Sequence, residues 1–171
     1  MSAFGSRGGQ TRFGEQSGEK RNLKQIFGLS ETQLRRYFRA ARSARRKETG
    51  HYLLELIERR LDNAVFRAGL AHTRPQARQI VAHGLLAVNG RSVTIPSRLL
   101  KIGDVVCVKA NKREKSYFTN FAKRMQNVQA PSWLALEVEQ FGFRVTGHPV
   151  AEEARLGIDS QAVVELLSRY P

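Results

Sequence analysis

Four arginines, Arg35, Arg39, Arg42 and Arg46, recur at steps of four, three and four residues. On a helix that spacing places them on one face. Arg36 and Arg45 widen the face, and no Asp or Glu occurs between Glu31 and Glu48 to neutralise it. A cationic stripe without counter-charges fits bound phosphates better than a solvated ion-pair lattice. A second pair, Arg74 and Arg78, lies four residues apart just after Thr73. If a helix starts there, its dipole and free N–H groups also favour an anion. Other chemistry is poorly supplied. His51, His72, His83 and His148 stand at no metal-ligand spacing with one another or with Cys107, the only cysteine. Cys107, among valines, reads as a buried structural thiol. Asp62, between Arg59, Arg60 and Arg67, reads as an ion-pair carboxylate rather than a catalytic one. No glycine-rich phosphate loop of the nucleotide-binding types occurs. The expectation is therefore no catalytic residue, no metal and no cofactor.

The global charge agrees with a polyanionic partner. The 171 residues carry 29 Lys and Arg against 15 Asp and Glu, a formal charge of +14. Neutralising phosphates with such side chains releases counterions and favours binding to nucleic acid. The excess is uneven. Residues 1–50 hold 12 basic and 4 acidic residues, and residues 51–125 hold 14 and 5. Residues 126–171 reverse the balance, with 3 basic and 6 acidic. No apolar run approaches the roughly 18–20 residues that span a bilayer. No signal-peptide core stands at the start, so a cytoplasmic setting is expected.

The elements that must position these charges can be read from periodicity and punctuation. Residues 1–21, rich in Gly, Ser, Gln and Arg, read as a flexible basic arm. Ser30 and Gln33 have capping-box spacing, with Leu29 and Leu34 at the staple positions. Leu34, Phe38 and Ala41 then form the apolar stripe of a helix whose other face is the arginine stripe. Gly50 is expected to break this region from the next helix, which carries Leu53, Leu54, Ile57, Leu61, Ala64, Val65 and Ala68 and ends at Gly69. A third helix opens at Thr73, again with capping-box spacing to Gln76, and closes at Gly84. Leu85–Val88 and Arg91–Ile95 flank Asn89-Gly90, a strong hairpin signal. Gly103-Asp104 turns the chain into the strand Val105–Val108. Phe118, Phe121, Ala122 and Met125 suggest a short helix. Leu134–Val138 and Phe143–Val145 could pair around Gly142, and a last helix is capped near Asp159 or Ser160. The class is α+β.

Between residues 60 and 108 the pieces run in a characteristic order: Arg60-Leu61-Asp62, then Thr73-Arg74-Pro75-Gln76-Ala77-Arg78-Gln79, His83-Gly84, Val88-Asn89-Gly90 and Gly103-Asp104-Val105-Val106. This order resembles the small helix-and-sheet RNA-binding domain named after the fourth small-subunit ribosomal protein. That domain also occurs in pseudouridine synthases, a tyrosyl-tRNA synthetase and a heat-shock ribosome-rescue protein, so the flanks decide. Asn22-Leu23-Lys24, Ile26-Phe27-Gly28, Gln33-Leu34-Arg35-Arg36-Tyr37-Phe38 and Leu53-Leu54 resemble the helical part of the ribosomal protein itself. So do Pro131-Ser132-Trp133-Leu134-Ala135-Leu136-Glu137 and the ending Gln161 to Ser168. The chain thus resembles that ribosomal family over about residues 13–171, as an N-terminally shortened member. The zinc-binding cysteines of some members are missing here, and no metal is carried over. An RNA-modifying enzyme fragment or a stand-alone rescue factor is the alternative, which residues 22–56 and 131–168 disfavour.

The resemblance implies a helical domain, 22–56 plus 126–171, into which an RNA-binding domain, 57–125, is inserted. It implies a small-subunit rRNA partner bound early at a multi-helix junction, nucleation of assembly, and a position where mRNA enters. It further implies a role in decoding accuracy together with small-subunit ribosomal protein five, which the acidic Glu152-Glu153 could serve. No membrane and no homo-oligomer are expected. The residues expected to meet RNA are Arg7, Arg12, Lys20 and Arg21 in the arm, and Arg35, Arg36, Arg39, Arg42, Arg45 and Arg46 on the stripe. Within the module they are Arg60, Arg74, Arg78, Gln79, His83 and Arg91, followed by Lys109, Lys112, Arg113 and Lys115.

Overall fold

A computed structural model describes residues 11–46 and 48–170. The chain divides into two units, residues 1–50 with 157–171, and His51–Leu156. The class is α+β, as the periodicity indicates.

The first unit is helical. Thr11 caps α1 (Arg12–Phe27) by accepting from the Gly14 N–H. The flexible-arm expectation is therefore corrected for residues 12–21, which are helical; residues 1–10, with Arg7, lie outside the described residues. Sequence reading missed α1 because Gly14, Gly18 and many polar residues lower its helix propensity. Its support is tertiary: Leu23 and Phe27 are buried, and α1 packs along α7 (Ser160–Arg169), which buries Val163, Leu166 and Leu167. Gly28, at φ 61°, ends α1. In α2 (Glu31–Ser43) the Ser30–Gln33 capping box is complete in both directions. Leu34, Tyr37, Phe38 and Ala41 form its buried stripe. The helix stops at Ser43 and Arg45 turns left-handed at φ 51°, so Arg45 and Arg46 leave the expected arginine face.

Helix α3 (Thr49–Glu58) already contains Gly50, so Gly50 is not the expected break. A Cβ there would sit 2.7 Å from the Ser160 hydroxyl oxygen, which explains a glycine inside a helix. The single helix expected from Leu53 to Ala68 is also divided. The chain bends at Arg60, which pairs as an isolated bridge with Leu99, and α4 (Leu61–Arg67) starts anew. The carbonyls of Arg98 and Pro96 accept from the Leu61 and Asp62 N–H groups at 2.8 and 3.1 Å. A distant loop thus satisfies the first turn, which local sequence cannot announce.

Gly69, at φ 81°, closes α4, and α5 (Arg74–Ala82) follows. Strands β1 (Leu86–Val88) and β2 (Arg91–Val93) meet in a hairpin with Asn89 and Gly90 at φ 51° and 78°. With β3 (Val105–Val108), β4 (Leu134–Glu137) and β5 (Gly142–Val145) they form one antiparallel sheet, ordered β2-β1-β3-β5-β4. Short α6 (Phe121–Met125) lies between β3 and β4 in the chain. Because β5 pairs with β3, residues 126–156 join this unit rather than the helical one. The inserted body is longer than residues 57–125. At the junction a Cβ on Gly142 would lie 2.0 Å from the Val106 carbonyl oxygen, so only glycine permits that approach. The core beneath includes Leu61, Val65, Ile80, Leu86, Val106, Val108 and Phe143.

Candidate nucleic-acid interface

In the second unit the site grows from buried polar side chains at the end of α3 and the start of α4. Glu58, Asp62 and Asn63 are each 2–3% exposed. The Asp62 carboxylate receives both arms of the Arg60 guanidinium, at 3.0 and 2.9 Å. It also accepts from the Asn63 N–H at 2.8 Å. Glu58 receives Arg67 at 3.1 and 2.9 Å and the Asn63 amide at 2.7 Å. These two carboxylates are acceptors for buried charge, and Asp62 is the ion-pair residue expected, with Arg60 as its principal partner.

The network reaches α5. Thr73 caps that helix by accepting from the Gln76 N–H, while the Gln76 side chain accepts from His72 N–H rather than closing a reciprocal box. Arg74 Nε donates to Asn63 Oδ1 at 2.9 Å, and its guanidinium lies 4.4 Å above the Phe66 ring. Burial first, then the charge of Arg67, hold the Arg74 pKa down to about 10, against the opposing pull of Glu58 and Asp62. The side chain stays charged at neutral pH, and an incoming phosphate would offset the cost of that burial. Arg78 Nε approaches Asp62 Oδ2 at 3.4 Å with over a third of its side chain exposed. Gln79 on α5 and His83 just beyond its end are exposed, and Arg91 is exposed on β2. The Lys109 amine lies 3.9 Å from where a Gly84 Cβ would be, at the C-terminal end of α5.

Other expected residues take different positions. Arg60 is 3% exposed, so it offers phosphate no surface and instead anchors Asp62. Arg113 lies 4.8 Å above the Phe141 ring and donates to the Gln140 carbonyl at 3.1 Å, fastening the segment after β3. Lys112 is half-buried and Lys115 exposed. Cys107 is only partly buried, because alternate residues of β3 face opposite sides of the sheet. Lys123, exposed, and Arg124, half-buried, lie on the same unit outside the residues expected from the sequence. Their sequence signal was a basic pair beside Tyr117, Phe118 and Phe121, the aromatic interleaving common in RNA-binding surfaces.

In the first unit Arg36, Arg39 and Arg42 are exposed on α2, and no carboxylate pairs with them among the described residues. Arg45 and Arg46, beyond the helix, are exposed as well. Arg35 does find an acid: its Nε is 3.2 Å from Glu31, and it also donates to the Tyr170 carbonyl. Lys20 and Lys24 meet the same carboxylate at 3.1 and 2.9 Å. Burial would raise the Glu31 pKa, but hydrogen bonds and charge from Lys24 and Lys20 hold it below the usual range. Arg12 pairs with Glu165 at 2.7 Å, and Arg21 is exposed.

Among the described residues no group of His, Cys, Asp and Glu could hold a metal ion, and no helix is long and apolar enough to cross a membrane. Cations dominate both surfaces, and the small helix-and-sheet unit carries its own on a rigid polar base. These features define an RNA-binding protein class. A model of the S4 domain matches residues 59–106, and one of the ribosomal protein S4/S9 N-terminal domain matches residues 3–58. The chain is 43% identical over 159 residues to small ribosomal subunit protein uS4 of Herpetosiphon aurantiacus, covering 92% of this chain and 75% of that one. It is also 43% identical over 159 residues to the protein of that name from Chloroflexus aurantiacus, covering 92% and 77%. The match to that of Clostridioides difficile is 41%, covering 93% and 76%. The chain belongs to the uS4 family of small ribosomal subunit proteins.

Proposed function

We propose that this chain is a structural constituent of the small ribosomal subunit that binds rRNA through two cationic surfaces. The observation that carries this reading is the base of Arg74 and Arg78: two half-exposed arginines oriented by buried Asn63 and Asp62. A structural ion-pair face would neutralise its arginines with exposed acids. Here the acids are buried and the cations point their remaining surface outward. Their phosphate contacts fix register on a folded RNA, which is recognised largely by shape and backbone. Gln79, His83, Arg91, Lys109, Lys112 and Lys115 extend this contact, and Arg21, Arg36, Arg39, Arg42, Arg45 and Arg46 supply the second.

The finer reading follows from family membership. The protein binds a multi-helix rRNA junction early, nucleates assembly, and lies where mRNA enters the cytoplasmic subunit. There it supports decoding accuracy with small-subunit protein five, for which exposed Glu152 and Glu153 offer an acidic contact. Sucrose-gradient sedimentation tests the reading. One copy per small subunit should remain after a high-salt wash. Substoichiometric, salt-labile association would contradict it and favour a transient ribosome-associated factor.

A further inference from the structure

A cavity of about 650 Å³ opens on the second unit, with Tyr117, Lys123, Arg124, His72, Asn120 and Asn127 on its wall. No carboxylate lines it. Phe121 and Met125 are buried in the core, which fixes the rotation of α6 and leaves Lys123 exposed. Arg124 is anchored without an acid: it donates to the Tyr117 and Leu70 carbonyls at 3.0 and 3.2 Å and lies 5.7 Å from the Phe121 ring centre. His72 Nε2 stands 3.4 Å from the same guanidinium. Arg124 Nε is buried without a hydrogen-bond acceptor, and burial holds the Arg124 pKa below the ordinary value. A partly buried cation fixed by carbonyl dipoles is poised for an anion. The volume exceeds the needs of one phosphate and falls in the range of organic-ligand sites. Three neutral features, the Tyr117 ring and the Asn120 and Asn127 amides, can serve a heterocycle by stacking and edge hydrogen bonds.

We propose that this pocket takes one unstacked nucleotide of the bound RNA, its phosphate on Lys123 and Arg124 and its base against Tyr117 and the two asparagine amides. The proposal rests on the rRNA-binding reading and adds a site that captures a single base beside the phosphate-binding surfaces.

Ultraviolet crosslinking of the full chain on small-subunit rRNA, read by mass spectrometry, tests it. A nucleotide adduct is expected on the peptide containing Tyr117. In Lys123→Ala with Asn127→Ala that adduct should fall severalfold, and the log–log salt slope of binding should decrease by roughly 0.7–0.9 for one lost phosphate. A nucleoside monophosphate should compete for adduct formation better than inorganic phosphate at equal concentration. Equal competition overturns the base-binding part. Normal rRNA affinity with adducts on α5 but none on residues 116–127, or crosslinks from that segment to protein in intact subunits, overturns the pocket and leaves the rRNA reading standing. Absence of any rRNA binding sinks both.

Discussion

On α5, Arg74 and Arg78 are tied to Asn63 and Asp62, whose other partners are buried. On α2, Arg36, Arg39 and Arg42 stand exposed with no acid beside them among the described residues. The first arrangement fixes direction before RNA arrives, so little side-chain entropy remains to be lost; ordering a free arginine costs about 0.5–1.5 kcal/mol at an interface. The second leaves the charges facing solvent, suited to long-range attraction and adaptable contact. The difference separates two uses of the same residue type. On the proposed reading, one would position the RNA and the other would draw it in.

The largest effect should come from removing the rigid base. Asp62→Ala removes the carboxylate that pairs with the Arg60 guanidinium, whose side chain is 4% exposed. Breaking a buried pair from one side costs about 3–5 kcal/mol. Urea unfolding should therefore show a large drop in midpoint. A near-normal midpoint would mean Arg60 finds water, and the rigid half of the comparison would fail.

On α2, stability and binding should separate. Phe38, 4% exposed, belongs to the buried stripe. Phe38→Ala should cost about 3–5 kcal/mol. Arg36, Arg39 and Arg42 changed together to alanine should leave the Tm nearly intact yet weaken affinity for a small-subunit rRNA junction. Early melting with retained affinity would turn this face into a structural one.

The smallest effect concerns acid. Glu31 holds Lys20, Lys24 and Arg35, and its pKa lies below the unfolded value of 4.5. Its contribution is thus present above pH 4.5 and lost as pH falls through the lower folded value. Glu31→Gln should flatten the acid limb of a stability–pH curve slightly, because the carboxylate is partly solvated. An unchanged limb would show that these pairs contribute nothing to folding.

Much of the architecture was legible locally. Ser30 with Gln33, Asn89 with Gly90, and Asp159 announce their caps and turn because short side chains and positive φ act over two to four residues. What stayed hidden depends on partners far along the chain. Helix α1 needs α7, the bend at Arg60 needs residues 96–99, and the span of the second unit depends on β5 pairing with β3. The same holds for the candidate site. Arg74 and Arg78 could be chosen from spacing, but Arg60 and Arg113 carry identical charge and are engaged by the protein's own groups, a buried carboxylate for Arg60 and the Phe141 ring for Arg113. Arg124 escaped notice because its setting depends on carbonyls from Leu70 and Tyr117.

On the proposed function, Arg74 and Arg78 are preorganised phosphate ligands. The most direct test is the salt dependence of binding to small-subunit rRNA, for the native chain and for Arg74→Ala with Arg78→Ala. Two lost phosphate contacts should reduce the magnitude of the log–log slope by roughly 1.4–1.8. An unchanged slope, with the variant folded, would rule out Arg74 and Arg78 as phosphate ligands.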